Sequence, residues 1–227
     1  MNVLGFVPAR GGSKRFPRKN VSLLGGRPLL QWTLEPARAS GVFSTLALST
    51  DDAEIAHIGN TLGVRVIERP AGLGADDVTV IEVLLATLDA LEADGECFDA
   101  AYVLMPTSPF RSAATIVRAF ETFRAGGASA LISVMPQEFP PEWTLEIDGG
   151  RLRARDPERY VKPRVELAPS FRADGAHLIA SVEALRRNRE FLGADTIAFR
   201  APDTERIDID TPRDLEFAEF LLRNVPN

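Results

Sequence analysis

Residues 3–20 are VLGFVPARGGSKRFPRKN, an apolar run followed by a basic loop that contains two adjacent glycines. The apolar run, residues 3–9, is almost unbroken, which is typical of a strand buried on both faces of a parallel sheet. Five basic side chains then fall between positions 10 and 19. Ligands of α/β sheets bind at the carboxyl ends of the strands, so this loop is a candidate anion site.

Further along the chain, apolar runs of strand length alternate with stretches of helical period. This alternation predicts βαβ units and a three-layer, mainly parallel α/β sheet. Strands are predicted at residues 45–50, 64–67, 100–105, 130–134, 176–180 and 196–199. Helices are predicted at 28–40, 78–93 and 113–124, and three others start after residues 52, 181 and 211.

Prolines and one irregular stretch refine this outline. Pro28 suits the first turn of a helix, whereas Pro36 should kink or shorten the same helix. Residues 211–214, Thr-Pro-Arg-Asp, form a capping box before the last helix. Residues 136–170 lose clean periodicity, and Gly149-Gly150 predicts a small hairpin there. We therefore predict one domain over residues 1–227, with 136–170 as an inserted arm.

Composition excludes several classes of protein. The 227 residues carry a formal net charge of −6, with 45% hydrophobic and 26% charged residues, as expected of a globular domain. The acidic balance argues against a nucleic-acid partner. No apolar run reaches the roughly 18 residues of a membrane span, and the N-terminus lacks the pattern of a signal peptide. Cys97 is the single cysteine. We expect a cytoplasmic protein with no membrane partner.

The basic loop has the chemistry of a polyphosphate site. Paired glycines let backbone N–H groups approach an anion, and the basic side chains neutralise its charge. The loop nevertheless lacks the first glycine of the P-loop pattern, and G-x-G-x-x-G does not occur in the chain. A P-loop ATPase and a dinucleotide dehydrogenase are both disfavoured. A merely solvated basic loop is the alternative.

A second candidate is the carboxylate pair Asp208 and Asp210. Carboxylates at i and i+2 of an extended chain point to the same side and can share one hard cation. Two histidines and one cysteine make a zinc site improbable, so Mg²⁺ is the expected metal. Alternatively, Asp210 only starts the last helix and Asp208 is simply exposed.

Two further segments follow predicted strands. Residues 104–111 end with hydroxyl groups and Arg111, which either hold a ligand carboxylate or form a turn and helix cap. Residues 49–52, Ser-Thr-Asp-Asp, either contact a ligand or cap the next helix.

Together these motifs resemble the acylneuraminate cytidylyltransferase (CMP-sialic acid synthetase) family over nearly the whole chain. Each motif alone is weak, but six in the family's order and approximate spacing are a specific signal. The matching segments are residues 10–20, 26–29, 49–52, 69–70, 106–109 and 207–211.

The resemblance implies a nucleotide-diphospho-sugar transferase (Rossmann-like) fold, with the glycine-rich loop around the triphosphate of CTP. Lys19 would lie near the reacting phosphate, and Thr79, which follows Asp76-Asp77-Val78, would help to select cytosine. Asp208 and Asp210 would bind Mg²⁺ as the cofactor. The implied nucleotide-binding residues are Ala9, Arg10, Gly11, Gly12, Ser13, Lys14, Asn20, Arg69 and Thr79. The implied catalytic residues are Arg10, Lys14, Lys19, Asp208 and Asp210.

For the acceptor, the resemblance implies an acidic 2-keto sugar and a homodimer whose arms complete each other's sugar pocket. The expected sugar-binding residues are Met105, Thr107, Ser108, Arg111, Arg164 and Asp174. Many family members have glutamine, Arg-Gln-Asp and Asn-Gly-Ala where this chain has Met105, Arg164-Val165-Glu166 and Asp174-Gly175-Ala176. A different nucleotide or neutral acceptor, or a catalytically silent nucleotide-binding homologue, remains an alternative.

Overall fold

The computed structural model describes residues 1–75 and 77–224, so Asp76 lies outside the described residues. The strands are β1 (Val3–Pro8), β2 (Leu23–Leu24), β3 (Arg27–Pro28), β4 (Thr45–Thr50), β5 (Arg65–Glu68), β6 (Ala100–Val103), β7 (Ala130–Pro136), β8 (Leu145–Asp148), β9 (Arg151–Ala154), β10 (Phe171–Ser181) and β11 (Ile197–Phe199). The α-helices are α1 (Leu29–Ser40), α2 (Ala53–Thr61), α3 (Val80–Ala93), α4 (Ala113–Gly126), α5 (Pro157–Tyr160), α6 (Val182–Asn188) and α7 (Pro212–Asn224). Single 3-10 turns span Lys19–Val21, Ala71–Leu73, Pro141–Trp143, Arg164–Glu166 and Asp203–Glu205.

Seven strands form the central sheet, in the order β11-β7-β10-β6-β1-β4-β5. Strand β1 pairs in parallel with β4 and β6, and β4 pairs in parallel with β5. Strand β10 is antiparallel to both of its neighbours, β6 and β7. The mainly parallel α/β fold is therefore confirmed. The sequence predicts only the second half of β10, since Arg172, Asp174 and Gly175 interrupt the apolar pattern of the first half.

Two apolar layers cover the faces of this sheet. Alternate residues of β1 point to opposite sides, so Val3 and Val7 pack with Leu34 of α1 while Leu4 and Phe6 pack with Leu84 of α3. Helices α1, α2 and α4 line the first face, and α3 and α6 line the second. The three-layer prediction thus follows from a strand that is buried on both sides.

Several local predictions can be compared with the helix boundaries. Helix α1 starts at Leu29, with Pro28 as its N-cap residue, and Pro36 does not shorten it, because it continues to Ser40. Asp52 caps α2 by accepting hydrogen bonds from the backbone of Glu54 and Ile55, as predicted. The capping box before α7 is also present, between Thr211 and Asp214.

Residues 136–170 leave the sheet after β7 and return to it with β10. The predicted hairpin is confirmed as β8 and β9, joined by Gly149-Gly150, both of which have positive φ angles. Several large apolar side chains of residues 136–170 are exposed, which is unusual for a segment of this length. The most exposed are Phe139, Ile147, Leu152, Val161 and Val165.

Within the described part of the chain, every helix falls short of the length and apolar character that a bilayer crossing requires.

Gly5 provides a test of packing around the central strand. A Cβ atom on Gly5 would lie 2.7 Å from Cγ of Phe43 and 2.8 Å from Cδ1 of Leu46. Both neighbours pack against the core, so we expect Gly5→Ala to lower the free energy of unfolding by about 1–3 kcal/mol.

Chemical denaturation of Gly5→Ala and of a control, Gly193→Ala, checks this expectation. A Cβ atom on Gly193 would meet its nearest atoms at 3.7 Å, an ordinary contact. The control should change stability by less than about 0.5 kcal/mol. Equal stability of the two variants would show that the Phe43 ring yields without cost.

Candidate active site

A cavity of about 380 Å³ opens where β1 and β6 end, at the carboxyl edge of the parallel strands. This is the edge at which open α/β sheets bind ligands. Eight of the predicted site residues line it: Arg10, Ser13, Lys14, Lys19, Asn20, Met105, Thr107 and Asp210. Positions from both ends of the chain therefore meet in one concave, strongly polar site.

The glycine-rich loop is held in shape by side chains from other segments. The backbone N–H of Gly11 donates to Oδ1 of Asp51 at 2.8 Å, and Nδ2 of Asn20 donates to the carbonyl of Arg10 at 3.0 Å. A Cβ atom on Gly11 would lie 2.6 Å from Oδ2 of Asp52, so only glycine fits there. At Gly12, by contrast, a Cβ atom would meet no described atom within 4 Å. The first glycine serves packing and the second leaves the loop open to a ligand.

Asp51 is a site residue that the sequence analysis did not single out. Residues 49–52 were expected either to contact a ligand or to cap the next helix, and Asp52 does cap α2. Asp51 instead anchors the loop, 40 residues away in sequence. Two adjacent aspartates after a strand were the available signal in the sequence. Only the parallel pairing of β1 with β4 explains why Asp51 reaches the loop after β1.

Lys19 and Asp210 form an ion pair inside the cavity. Nζ of Lys19 lies 2.8 Å from Oδ1 of Asp210, and the Lys19 side chain is only 12% exposed. Arg15, from the solvent side, lies 2.8 Å from the other carboxylate oxygen. The hydrogen bond from Lys19 holds the pKa of Asp210 below its ordinary value, despite partial burial. Asp210 is therefore a carboxylate at neutral pH.

The pKa of Asp208 is shifted in the opposite direction to that of Asp210. Burial, and then the negative charge of Asp210, raises the pKa of Asp208, and a hydrogen bond with the Thr107 side chain opposes the increase. Between the two aspartates, Ile209 is buried in the core and its N–H donates to the carbonyl of Thr107 at 2.8 Å. Only Asp210 of the pair lines the cavity, whereas Asp208 is an exposed residue beside it. The anchoring of Ile209 keeps these two mutually repelling carboxylates close together, an arrangement that a cation would stabilise.

The carboxylates of Asp208 and Asp210 suit Mg²⁺ better than a metal whose ligands all come from the protein. Among the described residues, no group of three or more His, Cys, Asp or Glu side chains is arranged to hold a metal ion. Magnesium commonly uses one or two carboxylates and completes its octahedron with water and substrate phosphates. Asp208 and Asp210 beside a phosphate-type loop fit that pattern.

Five predicted nucleotide-binding residues do not line the cavity: Ala9, Gly11, Gly12, Arg69 and Thr79. Arg69 is buried, donates to the carbonyl of Ser49 at 3.2 Å, and has its pKa lowered by burial. Thr79 is exposed and forms the capping box of α3 with Glu82. Ala9 lies buried in the core below the loop.

The remaining predicted sugar-binding residues also lie outside this cavity. Ser108 is buried. Arg111 is 2% exposed and donates to the carbonyls of Ala176 and Met105 at 2.9 and 3.2 Å. Asp174 accepts a hydrogen bond from the Ser133 hydroxyl. Arg164 is exposed on the arm, where it donates to backbone carbonyls of Gln137 and Glu138.

A larger cleft of about 990 Å³ lies between α1, α7 and residues 203–207. Apolar side chains such as Trp32, Phe110 and Phe217 form much of its lining. Of the predicted site residues, only Arg111 lies on its wall. The cluster of basic side chains and carboxylates lies in the smaller cavity, which is therefore the candidate active site.

Comparison with known proteins identifies the family of the chain. Residues 4–165 match the family model described as cytidylyltransferase. The CMP-N,N'-diacetyllegionaminic acid synthase of Legionella pneumophila is 33% identical, over 98% of this chain and 97% of that protein. The pseudaminic acid cytidylyltransferase of Campylobacter jejuni is 28% identical over the same shares of the two chains. The N-acylneuraminate cytidylyltransferase of Escherichia coli is 27% identical, over 95% of this chain and 51% of that protein.

Solved structures show the same fold at low sequence identity. A CMP:2-keto-3-deoxy-manno-octonic acid synthetase complexed with CTP has a TM-score of 0.72 and 16% identity, covering 98% of this chain and 99% of the other. A 4-diphosphocytidyl-2C-methyl-D-erythritol synthase from Anaerococcus prevotii has a TM-score of 0.65 and 14% identity, with the same coverage. Together with the sequence matches, these findings show that the chain belongs to the cytidylyltransferase family that includes CMP-nonulosonate synthetases and N-acylneuraminate cytidylyltransferases.

Proposed function

We propose that the protein transfers CMP from CTP to the anomeric hydroxyl of a nonulosonic acid, an acidic 2-keto sugar, and releases pyrophosphate in the cytoplasm. The observation that carries the proposal is the single cavity in which Lys19 and Asp210 meet the glycine-rich loop. Relatives over almost the full length of the chain are named for CMP transfer to legionaminic and pseudaminic acids.

The loop and its basic side chains supply what nucleotidyl transfer needs. In the reaction, the sugar oxygen forms a bond to the α-phosphorus as the bond to the bridging oxygen of pyrophosphate breaks. Such a reaction depends on positioning and on neutralising phosphate charge, with little covalent help from the protein. Arg10, Lys14 and Lys19 line the cavity as cations, and the open backbone at Gly12 can accept a phosphate.

We assign Asp208 and Asp210 as the residues that hold Mg²⁺. When bound, the ion would neutralise phosphate charge and help to orient the triphosphate. Lys19 then has two roles, because it pairs with Asp210 in this structure and lies beside the space for the phosphates. Its ammonium group keeps the carboxylate ionised and ready for a cation.

The acceptor is expected at the side of the cavity formed by Met105 and Thr107. Arg111 is buried and bonded to backbone carbonyls, so it is poorly placed to pair with a sugar carboxylate. We propose Arg164 for that role, contributed by the arm of a second copy, since Arg164 is exposed and outside the cavity of its own chain.

This assignment requires a homodimer formed through the arm. The exposed apolar side chains of residues 136–170 form a surface that association would bury. Val165, next to Arg164, is 93% exposed, the largest value among the exposed large hydrophobic residues of the described chain.

The first experiment is a pyrophosphate-release assay with CTP and Mg²⁺ on a panel of octulosonic and nonulosonic acids. We expect release with a nonulosonic acid and its loss on addition of EDTA. Thermal-shift measurements with the four nucleoside triphosphates test the alternative nucleotides. Binding of CTP without turnover of any acceptor would indicate a silent homologue and contradict the proposal.

Substitution of Lys19 or Asp208 tests the catalytic assignment. We expect Lys19→Ala and Asp208→Asn to lower kcat by about 10²–10³, the usual cost of losing one preorganised charge stabiliser. The raised pKa of Asp208 means that its negative charge is disfavoured in the folded state at neutral pH. Asp208→Asn should therefore melt no lower than the wild-type protein.

Controls come from nearby charged residues outside the cavity. Asp203→Asn changes an exposed carboxylate five positions before Asp208, and Arg38→Ala changes an exposed arginine on α1. Both should keep kcat within about twofold. Turnover by Lys19→Ala and Asp208→Asn at the level of these controls would remove the roles assigned here.

The dimer can be tested by placing a charge on the arm. Val165→Asp should shift the mass measured by light scattering from two chains toward one, because burying an unpaired carboxylate in an apolar contact is unfavourable. Leu192→Asp, at an exposed apolar position outside the arm, is the control. A wild-type protein that is monomeric at high concentration would contradict the interface.

A further inference from the structure

Arg111 connects three parts of the molecule without lining the catalytic cavity. Its Nη2 donates to the carbonyl of Met105, and its Nε donates to the carbonyl of Ala176 on β10. The first bond reaches the turn at residues 104–108, which follows β6 and supplies one wall of the catalytic cavity. The second ties that turn to the antiparallel strand.

The turn at residues 104–108 in addition contacts the segment that carries Asp208 and Asp210. Thr107 contributes its carbonyl to the N–H of Ile209 and its side chain to the carboxylate of Asp208. Ser108 also donates its N–H to the carbonyl of Met105, so that one carbonyl accepts from both Arg111 and the backbone. Hydrogen bonds at Met105 and at Thr107, joined by the covalent backbone of the turn, thus connect Arg111 to Asp208.

The charge of Arg111 is retained despite its burial. Desolvation lowers the pKa of Arg111 to about 10, and the nearby Tyr102, Glu205 and Asp174 favour the charged form. The guanidinium is therefore a cation at neutral pH, and its planar fork can bond two carbonyls at once. Lysine would keep the positive charge but cannot reproduce the two directed bonds.

We propose that Arg111 is a positioning residue for catalysis, one that holds Met105, Thr107 and, through them, Asp208 in the reactive arrangement without touching either substrate. The kinetic part rests on the proposed function. The inference also replaces the expected contact between Arg111 and the sugar carboxylate.

The variant Arg111→Lys separates positioning from substrate contact. Positioning predicts that kcat falls by about tenfold to a hundredfold, while the CTP dissociation constant measured by calorimetry changes less than about threefold. Direct contact with the sugar predicts instead a rise of KM for the sugar acid with kcat nearly unchanged. The second result would overturn the proposal.

Hydrogen–deuterium exchange gives a readout that does not depend on activity. The amides of Ser108 and Ile209 donate to carbonyls of the turn, so Arg111→Lys should speed their exchange by about tenfold or more. The matched control is Arg69→Lys, a buried arginine that donates to the carbonyl of Ser49 and not to the turn. Unchanged exchange of both amides in Arg111→Lys would overturn the proposal.

Thr107→Val provides a second variant if Arg111→Lys does not fold. It removes the hydroxyl that meets Asp208 and leaves the buried charges around Arg111 in place. It should lower kcat with little effect on CTP binding. Where Arg111→Lys does fold, the double variant should be no slower than Arg111→Lys alone. If the losses of kcat in the two single variants multiplied in the double variant, Arg111 and Thr107 would act independently, which would contradict the proposal. If the wild-type protein transfers no CMP, the proposed function fails, and exchange alone decides whether Arg111 holds the turn.

Discussion

Burial of β1 on both faces, together with parallel pairing on both edges, is the constraint from which the site follows. A strand in that position must be followed by chain that leaves the sheet at the carboxyl edge, beside the ends of β4 and β6. The glycine-rich loop, the aspartates after β4 and the turn after β6 therefore meet there. Because the strand ends lie close together, hydrogen bonds between these segments can hold the loop in place, such as the bond from Gly11 to Asp51.

Asp210, which lines the cavity, and Asp208, which lies beside it, show how different neighbours change the chemistry of identical side chains. Asp210 lies against Lys19 and Arg15, so its pKa is low, whereas Asp208 is partly desolvated and faces the charge of Asp210, so its pKa is raised. The chain as a whole is acidic, but the candidate site concentrates basic side chains around Asp210. Local placement rather than net charge determines what the site attracts.

Strand β10 links the arm, the central sheet and the turn after β6. It runs against the direction of its neighbours and shifts register between Ala173 and Leu178, near Gly175 with its positive φ angle. Its first half carries the chain back from the arm, and its second half packs in the core. At the junction lies the carbonyl that Arg111 contacts, so the arm, the sheet and the catalytic turn are joined over a few residues.

The sequence by itself determined the fold class, most strand and helix boundaries, the hairpin of the arm and the place of the glycine-rich loop after β1. These features are local, because hydrophobic period, caps and glycine pairs act within a few residues. The start of β10 escaped prediction because Arg172, Asp174 and Gly175 interrupt its apolar pattern and it pairs only with a distant strand. The roles of Asp51 and Arg111 escaped it because each bonds a segment more than five residues away along the chain. Only the tertiary structure decided which charges meet, since ion pairs such as Lys19 and Asp210 join residues 191 positions apart.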